Sequence, residues 1–274
     1  MAGVSRFDVE QMEREFNPPI IIRTVKYRGH EINIVADDFL VGGTKTRALW
    51  PLLKDIPTGT TVVYAGPAMG LGQFALTRVA TLLGLKVQLY LIGRPNPMSE
   101  ASKRLRASIF RVNLSVDTAT QRAQEWIDED PTKRQLIAFG CDIPGYREVL
   151  ADAIRRAWVD HGTPTRLWLA SGSATLLNAL YLVFPPETGV RFMVVVVGRK
   201  VYPDQIQADR TTIFDYKALY GRSFEQSVVE TKLPPYPSVP NYDAKVWHVL
   251  TDMIEREEVE AEGNFIWNVG RVPT

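Results

Sequence analysis

Short β-branched or apolar runs alternate along this chain with segments of helical spacing, and that alternation narrows the available folds more than any other feature. Thr60 to Ala65 reads as a strand, Gln73 to Leu83 as a helix, Lys86 to Ile92 as a strand and Ser99 to Phe110 as a helix. The series resumes with a strand near Gln135 to Phe139, a helix from Tyr146 to Trp158, a strand at Arg166 to Ala170, a helix from Thr175 to Val183 and a strand at Phe192 to Val197. Parallel strands need long crossovers, which helices supply, so the pattern predicts an α/β chain of open parallel twisted sheets with helices on both faces.

Composition removes several function classes. With 32 Lys and Arg against 31 Asp and Glu, no whole-molecule field draws the chain to nucleic acid or an anionic membrane. The single cysteine, Cys141, cannot close an intramolecular disulfide, and no Cys/His spacing resembles a zinc site. The charged stretch Met1 to Asn17 lacks the apolar core of a secretion signal, so a cytoplasmic location is expected. Leu167 to Phe184 is free of charge but broken by Ser171, Gly172, Ser173, Thr175 and Asn178, and it reads as strand, turn and buried helix rather than a membrane span.

In open α/β sheets, ligands sit beyond the carboxyl ends of strands, where loop amides and helix N-termini face them. Three loops stand there. Gly42-Gly43-Thr44-Lys45-Thr46-Arg47 follows the extended segment Glu31 to Asp38; its glycines allow a tight turn, and a desolvated lysine forms a Schiff base with an aldehyde. An exposed loop lysine would use the same residues. Ala170-Ser171-Gly172-Ser173-Ala174-Thr175 lies between a strand and a helix, where small residues let N–H groups converge on a phosphate; a serine-rich helix cap is the plainer use. In Gly66-Pro67-Ala68-Met69-Gly70-Leu71-Gly72-Gln73-Phe74-Ala75, the positions Gly70, Gly72 and Ala75 fit the dinucleotide pattern G-x-G-x-x-A. That pattern begins four residues late, and the next strand ends at Arg94 with no acidic ribose ligand.

In chain order these segments resemble one family. Asp38 followed by Gly42-Gly43-Thr44-Lys45-Thr46-Arg47-Ala48-Leu49 is similar to the lysine loop of fold type II pyridoxal-phosphate enzymes. The similarity is to the branch containing aminocyclopropane-carboxylate deaminase and D-cysteine desulfhydrase, where the loop reads Gly-Gly-Asn-Lys-Thr-Arg-Lys-Leu. The glycine turn at 66–75, Ile143-Pro144-Gly145-Tyr146, the Ser-Gly-Ser-Ala-Thr loop, Tyr242-Asp243-Ala244-Lys245 and Phe265-Ile266-Trp267-Asn268-Val269-Gly270 follow in family order.

The resemblance implies a lyase in which Lys45 holds pyridoxal 5'-phosphate as a Schiff base and returns a proton at the substrate carbon. It implies that Ser171, Gly172, Ser173, Ala174 and Thr175 bind the cofactor phosphate, that Tyr242 lies close to cofactor and substrate, and that Asn268 lies near the pyridine ring. Gly70, Leu71, Gly72 and Gln73 fall where the family grips the substrate. Residues 1–50 and 160–274 would form a larger cofactor-binding unit, residues 51–159 a smaller unit that closes over substrate, and two copies a homodimer.

The departures bear on the substrate. Where the family has Ser-Asn-Gln, this chain has Gly70-Leu71-Gly72, so no hydroxyl remains on that turn; Arg271 replaces the last glycine of the closing motif and Ile266 a tyrosine. The reaction expected is decarboxylation, elimination or deamination of an amino-acid-like amine. A second expectation is the role of compact phage-encoded members, which trim an amino acid carried on thymine in DNA. Lys103, Arg104, Arg106 and Arg111, with Arg155, Arg156 and Arg166, would then track phosphates. From other classes, an inactive binding protein on the same fold and an NAD(P)-dependent dehydrogenase complete the set.

Overall fold

A computed structural model describes residues 8–141, 143–198, 201–260 and 262–273, so the start of the stretch read from Met1 to Asn17, residues 1–7, lies outside the described residues. In chain order the strands are β1 (Ile22–Tyr27), β2 (His30–Ala36), β3 (Thr61–Pro67), β4 (Lys86–Ile92), β5 (Ser108–Val112), β6 (Arg134–Ile137), β7 (Arg166–Ser171), β8 (Arg191–Val196), β9 (Thr211–Asp215) and β10 (Asn264–Asn268). The helices are α1 (Val9–Phe16), α2 (Thr46–Leu53), α3 (Leu71–Leu82), α4 (Pro97–Arg104), α5 (Val116–Asp128), α6 (Tyr146–Ala157), α7 (Thr175–Val183), α8 (Tyr216–Tyr220) and α9 (Asp243–Glu255).

The strands form two sheets, one ordered β1-β2-β10-β7-β8-β9 and one ordered β5-β4-β3-β6. Only the β1–β2 hairpin is antiparallel; every other pair among the described residues runs parallel. Helices cover both faces of each sheet, as the alternation requires. A core shared by α2, α3, α6 and α7 joins the two sheets, α9 packs Ala244, Val246, Trp247 and Leu250 on the far face of the larger sheet, and α5 packs Ala119, Ala123 and Ile127 on the smaller. The uncharged stretch from Leu167 to Phe184 divides into buried β7, a turn and buried α7. No helix among the described residues is long and apolar enough to cross a membrane.

One sequence expectation is corrected and one helix is added. The helix read from Ser99 to Phe110 stops at Arg104: Arg106 takes a left-handed φ of 68°, and Ser108–Val112 continues as an edge strand whose Phe110 stacks on Tyr90. A half-exposed edge strand buries too few apolar residues to betray its period of two. Helix α5 went unread because its buried face is Ala119, Ala123 and Ile127, and two alanines are a weak apolar signal.

Candidate active site

Where the carboxyl ends of β3 and β7 approach each other, a cavity of about 420 Å³ opens. Lys45, Gly70, Leu71, Gly72, Tyr242 and the whole turn Ser171, Gly172, Ser173, Ala174 and Thr175 line it. The cavity thus gathers all three loops singled out above. Gln73 and Asn268 are buried outside its lining: Gln73 Nε2 donates back to the Ala68 carbonyl, and Asn268 Nδ2 donates to Asp38 (2.9 Å) and the Pro237 carbonyl (2.8 Å).

The lysine loop is tightly held. Gly43, at φ 73°, lies so close to the end of β10 that a Cβ would stand 2.0 Å from the Val269 carbonyl oxygen, the same oxygen that accepts the Thr44 N–H at 2.9 Å. Thr44 Oγ1 donates to Asp37 (2.7 Å) and accepts the Trp267 indole N–H (2.9 Å). Arg47 pairs with Asp37 at 2.7 Å and donates to Asn17 Oδ1 (2.7 Å), with both ions buried. Lys45 therefore rises from a fixed base. Its ammonium makes no hydrogen bond or ion pair among the described residues, and its Cδ and Cε lie 3.5 Å from the position a Cβ would take on Gly72. Lys45 is half-buried, whereas the buried Lys245 has an acceptor, the Ser223 carbonyl at 2.8 Å, and burial pushes it down to about 8.

Across the cavity, Ala174 takes φ 58° to turn the chain from β7 into α7, with its N–H on Ser171 Oγ (3.2 Å). Ser173 and Thr175 hydroxyls meet at 3.0 Å. A Cβ on Gly140 would fall 2.5 Å from Ser173 Oγ, so only glycine lets the segment after β6 close on this turn. Small residues, the paired Ser173 and Thr175 hydroxyls and the start of α7 form a concave turn suited to an anion. Tyr242 packs its ring against Gly172, and its hydroxyl donates to the Ala170 carbonyl (3.2 Å). Burial raises the phenol well above its ordinary value, so it stays protonated.

Sequence reasoning passed over Asp243 and Tyr64. Asp243, just behind the wall formed by Tyr242 and Val269, is buried, and among the described residues neither carboxyl oxygen has a well-formed hydrogen bond, the Val269 N–H being only a loose neighbour; Tyr236 beside it has a hydroxyl likewise without a partner among them. Burial, then the charges of Asp38 and Asp37, hold its carboxyl well above the usual range, against an opposing pull from the Val269 N–H. Tyr64, in the apolar run of β3, points its hydroxyl into the cavity. A second cavity of about 410 Å³ adjoins the first, sharing Val116, Asp117, Phe139, Gly172 and Ser173 and adding Thr120, Tyr202 and Gln205.

No protein-family model matches the sequence. No curated protein matches it either. Its fold is nonetheless shared with solved structures. An ACC deaminase homologue superposes with a TM-score of 0.73 at 17% identity, over 95% of this chain and 93% of that one. A mutant of O-ureido-L-serine synthase bound to O-ureido-L-serine gives 0.66 at 12% identity, over 95% and 89%. Diaminopropionate ammonia lyase from Escherichia coli, in complex with an aminoacrylate-PLP azomethine reaction intermediate, gives 0.62 at 14%, over 95% and 88%. The chain has the architecture of the fold type II pyridoxal-phosphate enzymes.

Proposed function

We propose that this protein is a pyridoxal-phosphate-dependent lyase acting on an amino-acid-like amine. One observation carries the reading: a lysine amine without a partner among the described residues and a small-residue anion cradle line one cavity. Residues and group fit. Lys45 would hold the cofactor through its aldehyde carbon, and Ser171, Gly172, Ser173, Ala174 and Thr175 would hold the phosphate. The cofactor, when bound, supplies an electron sink that weakens the bonds at the amine-bearing carbon. Tyr242, fixed by the Ala170 carbonyl, keeps one wall rigid. With the cofactor bound, Lys45 would supply the base for a proton at that carbon, and Met69, Leu71, Ile92 and Phe139 would give the cavity an apolar wall against water. Residues 51–159 would move as the closing unit.

Decarboxylation and elimination both fit such a site, because the choice rests on which bond lies perpendicular to the ring. A larger amine carrier, such as an amino-acid-modified thymine in DNA, is favoured by the adjoining cavity alone. Of the basic residues, Arg155, Arg156 and Arg166 pair with Asp152, Glu13 and Glu260 and Arg111 donates to Ser99, while Lys103, Arg104 and Arg106 stand exposed.

The test is an absorbance spectrum of protein incubated with pyridoxal phosphate beside Lys45→Ala. A band at about 410–430 nm that vanishes in the variant is expected. Its absence from the wild type would overturn the reading and leave a binding scaffold or a nicotinamide site at the 66–75 turn.

A further inference from the structure

Tyr64 stands on β3 with its ring folded over Gly66, two residues on and therefore on the same face of the strand. A Cβ on Gly66 would lie 2.7 Å from the ring and 2.8 Å from the hydroxyl, so the tyrosine fills the space that glycine vacates. The hydroxyl reaches to 3.2 Å from the Cβ position of Gly72, the point that Lys45 Cδ and Cε approach at 3.5 Å. Phenol and lysine thus converge on one spot at the start of α3. The residue is 2% exposed, and its oxygen faces the Gly140 N–H, while its proton has no acceptor among the described residues. Burial raises the phenol far above its ordinary value, so it is a neutral donor at every working pH. Helix α3 opens on Gly70 without a side-chain cap, and the turn 70–72 carries no side-chain donor. A protonated hydroxyl with nothing to donate to, beside uncapped amides and their positive end of the helix, suits an acceptor that bears negative charge.

We propose that Tyr64 is a specificity-determining residue of this site, its hydroxyl donating a hydrogen bond to the acidic group of the substrate. The inference rests on the reading of the cavity as a pyridoxal-phosphate site for an amine. It selects, among amines, those that carry a carboxylate or similar anion next to the reacting nitrogen.

The experiment titrates cofactor-loaded wild type and Tyr64→Phe with D-alanine, L-alanine and ethylamine, the last being alanine without its carboxylate, and follows displacement of the Lys45-dependent band. Wild type is expected to take one alanine enantiomer more tightly than ethylamine. Tyr64→Phe should weaken that alanine by about tenfold or more, the worth of one hydrogen bond to a charged group, and leave ethylamine within about twofold. Equal weakening of both probes, unchanged alanine affinity, or a wild-type preference for ethylamine would overturn the proposal. So would an altered pH dependence of the band itself without a change in selectivity, which would assign the hydroxyl to Lys45. The apoprotein gives an independent reading: Tyr64→Phe should melt within about 4 °C of wild type, because the lost proton had no acceptor in the fold. If Tyr64→Phe fails to load, Gly72→Ala, which sets a methyl 3.2 Å from the hydroxyl, should blunt the same selectivity, and intact selectivity there counts against the proposal. Absence of a Lys45-dependent band in wild type is a different failure, that of the site reading itself.

Discussion

Gly43→Ala tests whether the lysine loop is positioned by backbone contact with the end of β10. Two costs arise. Alanine at φ 73° pays the left-handed penalty of about 1–2 kcal/mol. Its methyl would also stand 2.0 Å from the Val269 oxygen, a separation no packing permits, so the loop must withdraw. Withdrawal breaks the 2.9 Å bond from the Thr44 N–H to that oxygen and strains the buried Thr44 links to Asp37 and Trp267, adding about 1–3 kcal/mol. The total is about 2–5 kcal/mol. Gly59→Ala is the matched control, since Gly59 has φ 85° and nothing within 4 Å of its Cβ position, and it should cost only the left-handed part. Urea denaturation of both apoproteins measures the difference, expected at about 2 kcal/mol. Equal losses would show that the contact with Val269 does not hold the loop and would refute the reasoning. Gly43→Ala should also lower the affinity for pyridoxal phosphate, which Gly59→Ala should not.

Arg47→Met leaves Asp37 buried without its cation, and a loss of about 3–5 kcal/mol in denaturant midpoint analysis is expected; a loss under about 1 kcal/mol would mean that Asp37 is adequately held by Thr44 alone. Asp243→Asn addresses pH. Because the folded carboxyl is held above its unfolded value, the native state keeps a proton that the unfolded chain has lost, and wild-type stability falls by up to about 1.4 kcal/mol per pH unit as pH rises above about 3.9. Asparagine has no such slope, so the variant should gain on wild type from pH 4 upward in urea melts, and a flat difference would show Asp243 to be ionised in the fold.

Much of the candidate site was legible because the cavity is lined by loops at predictable places. The Gly42-Gly43 turn before Lys45, and the Ser171 to Thr175 turn between β7 and α7, advertise themselves by small residues at strand ends. What stayed hidden depends on contacts across the sheets. Asn268 was expected near the ring by its place in the closing motif, yet it bridges Asp38 and the Pro237 carbonyl, a link set by how β10 lies beside β2. Gln73 turns back on its own helix entry. Val116 and Asp117 reach the cavity from a helix whose alanine-marked face gave no signal. Tyr64 looked like one more apolar strand residue, although Gly66 two places on, on the same face, was the clue that its ring had somewhere to go.

Three carboxyls, Asp37, Asp38 and Asp243, are buried behind one lysine loop, a costly arrangement if stability were its purpose. A buried ion pair contributes little net stability compared with apolar residues of the same volume, but parting its ions is severely penalised. Asp37 ties Arg47 and Thr44 together, and Asp38 ties Arg23 on β1 (3.0 Å) to Asn268 on β10 (2.9 Å). Each link therefore excludes alternative placements of the loop far more strongly than it favours folding. If Lys45 holds a ligand as proposed, it needs that kind of exclusion, because an error of about 1 Å at its base is enough to misplace the amine. The same crowding bears on Asp243: burial raises its carboxyl, and the charges of Asp38 and Asp37 raise it further, so a third ionised carboxylate behind this loop is disfavoured.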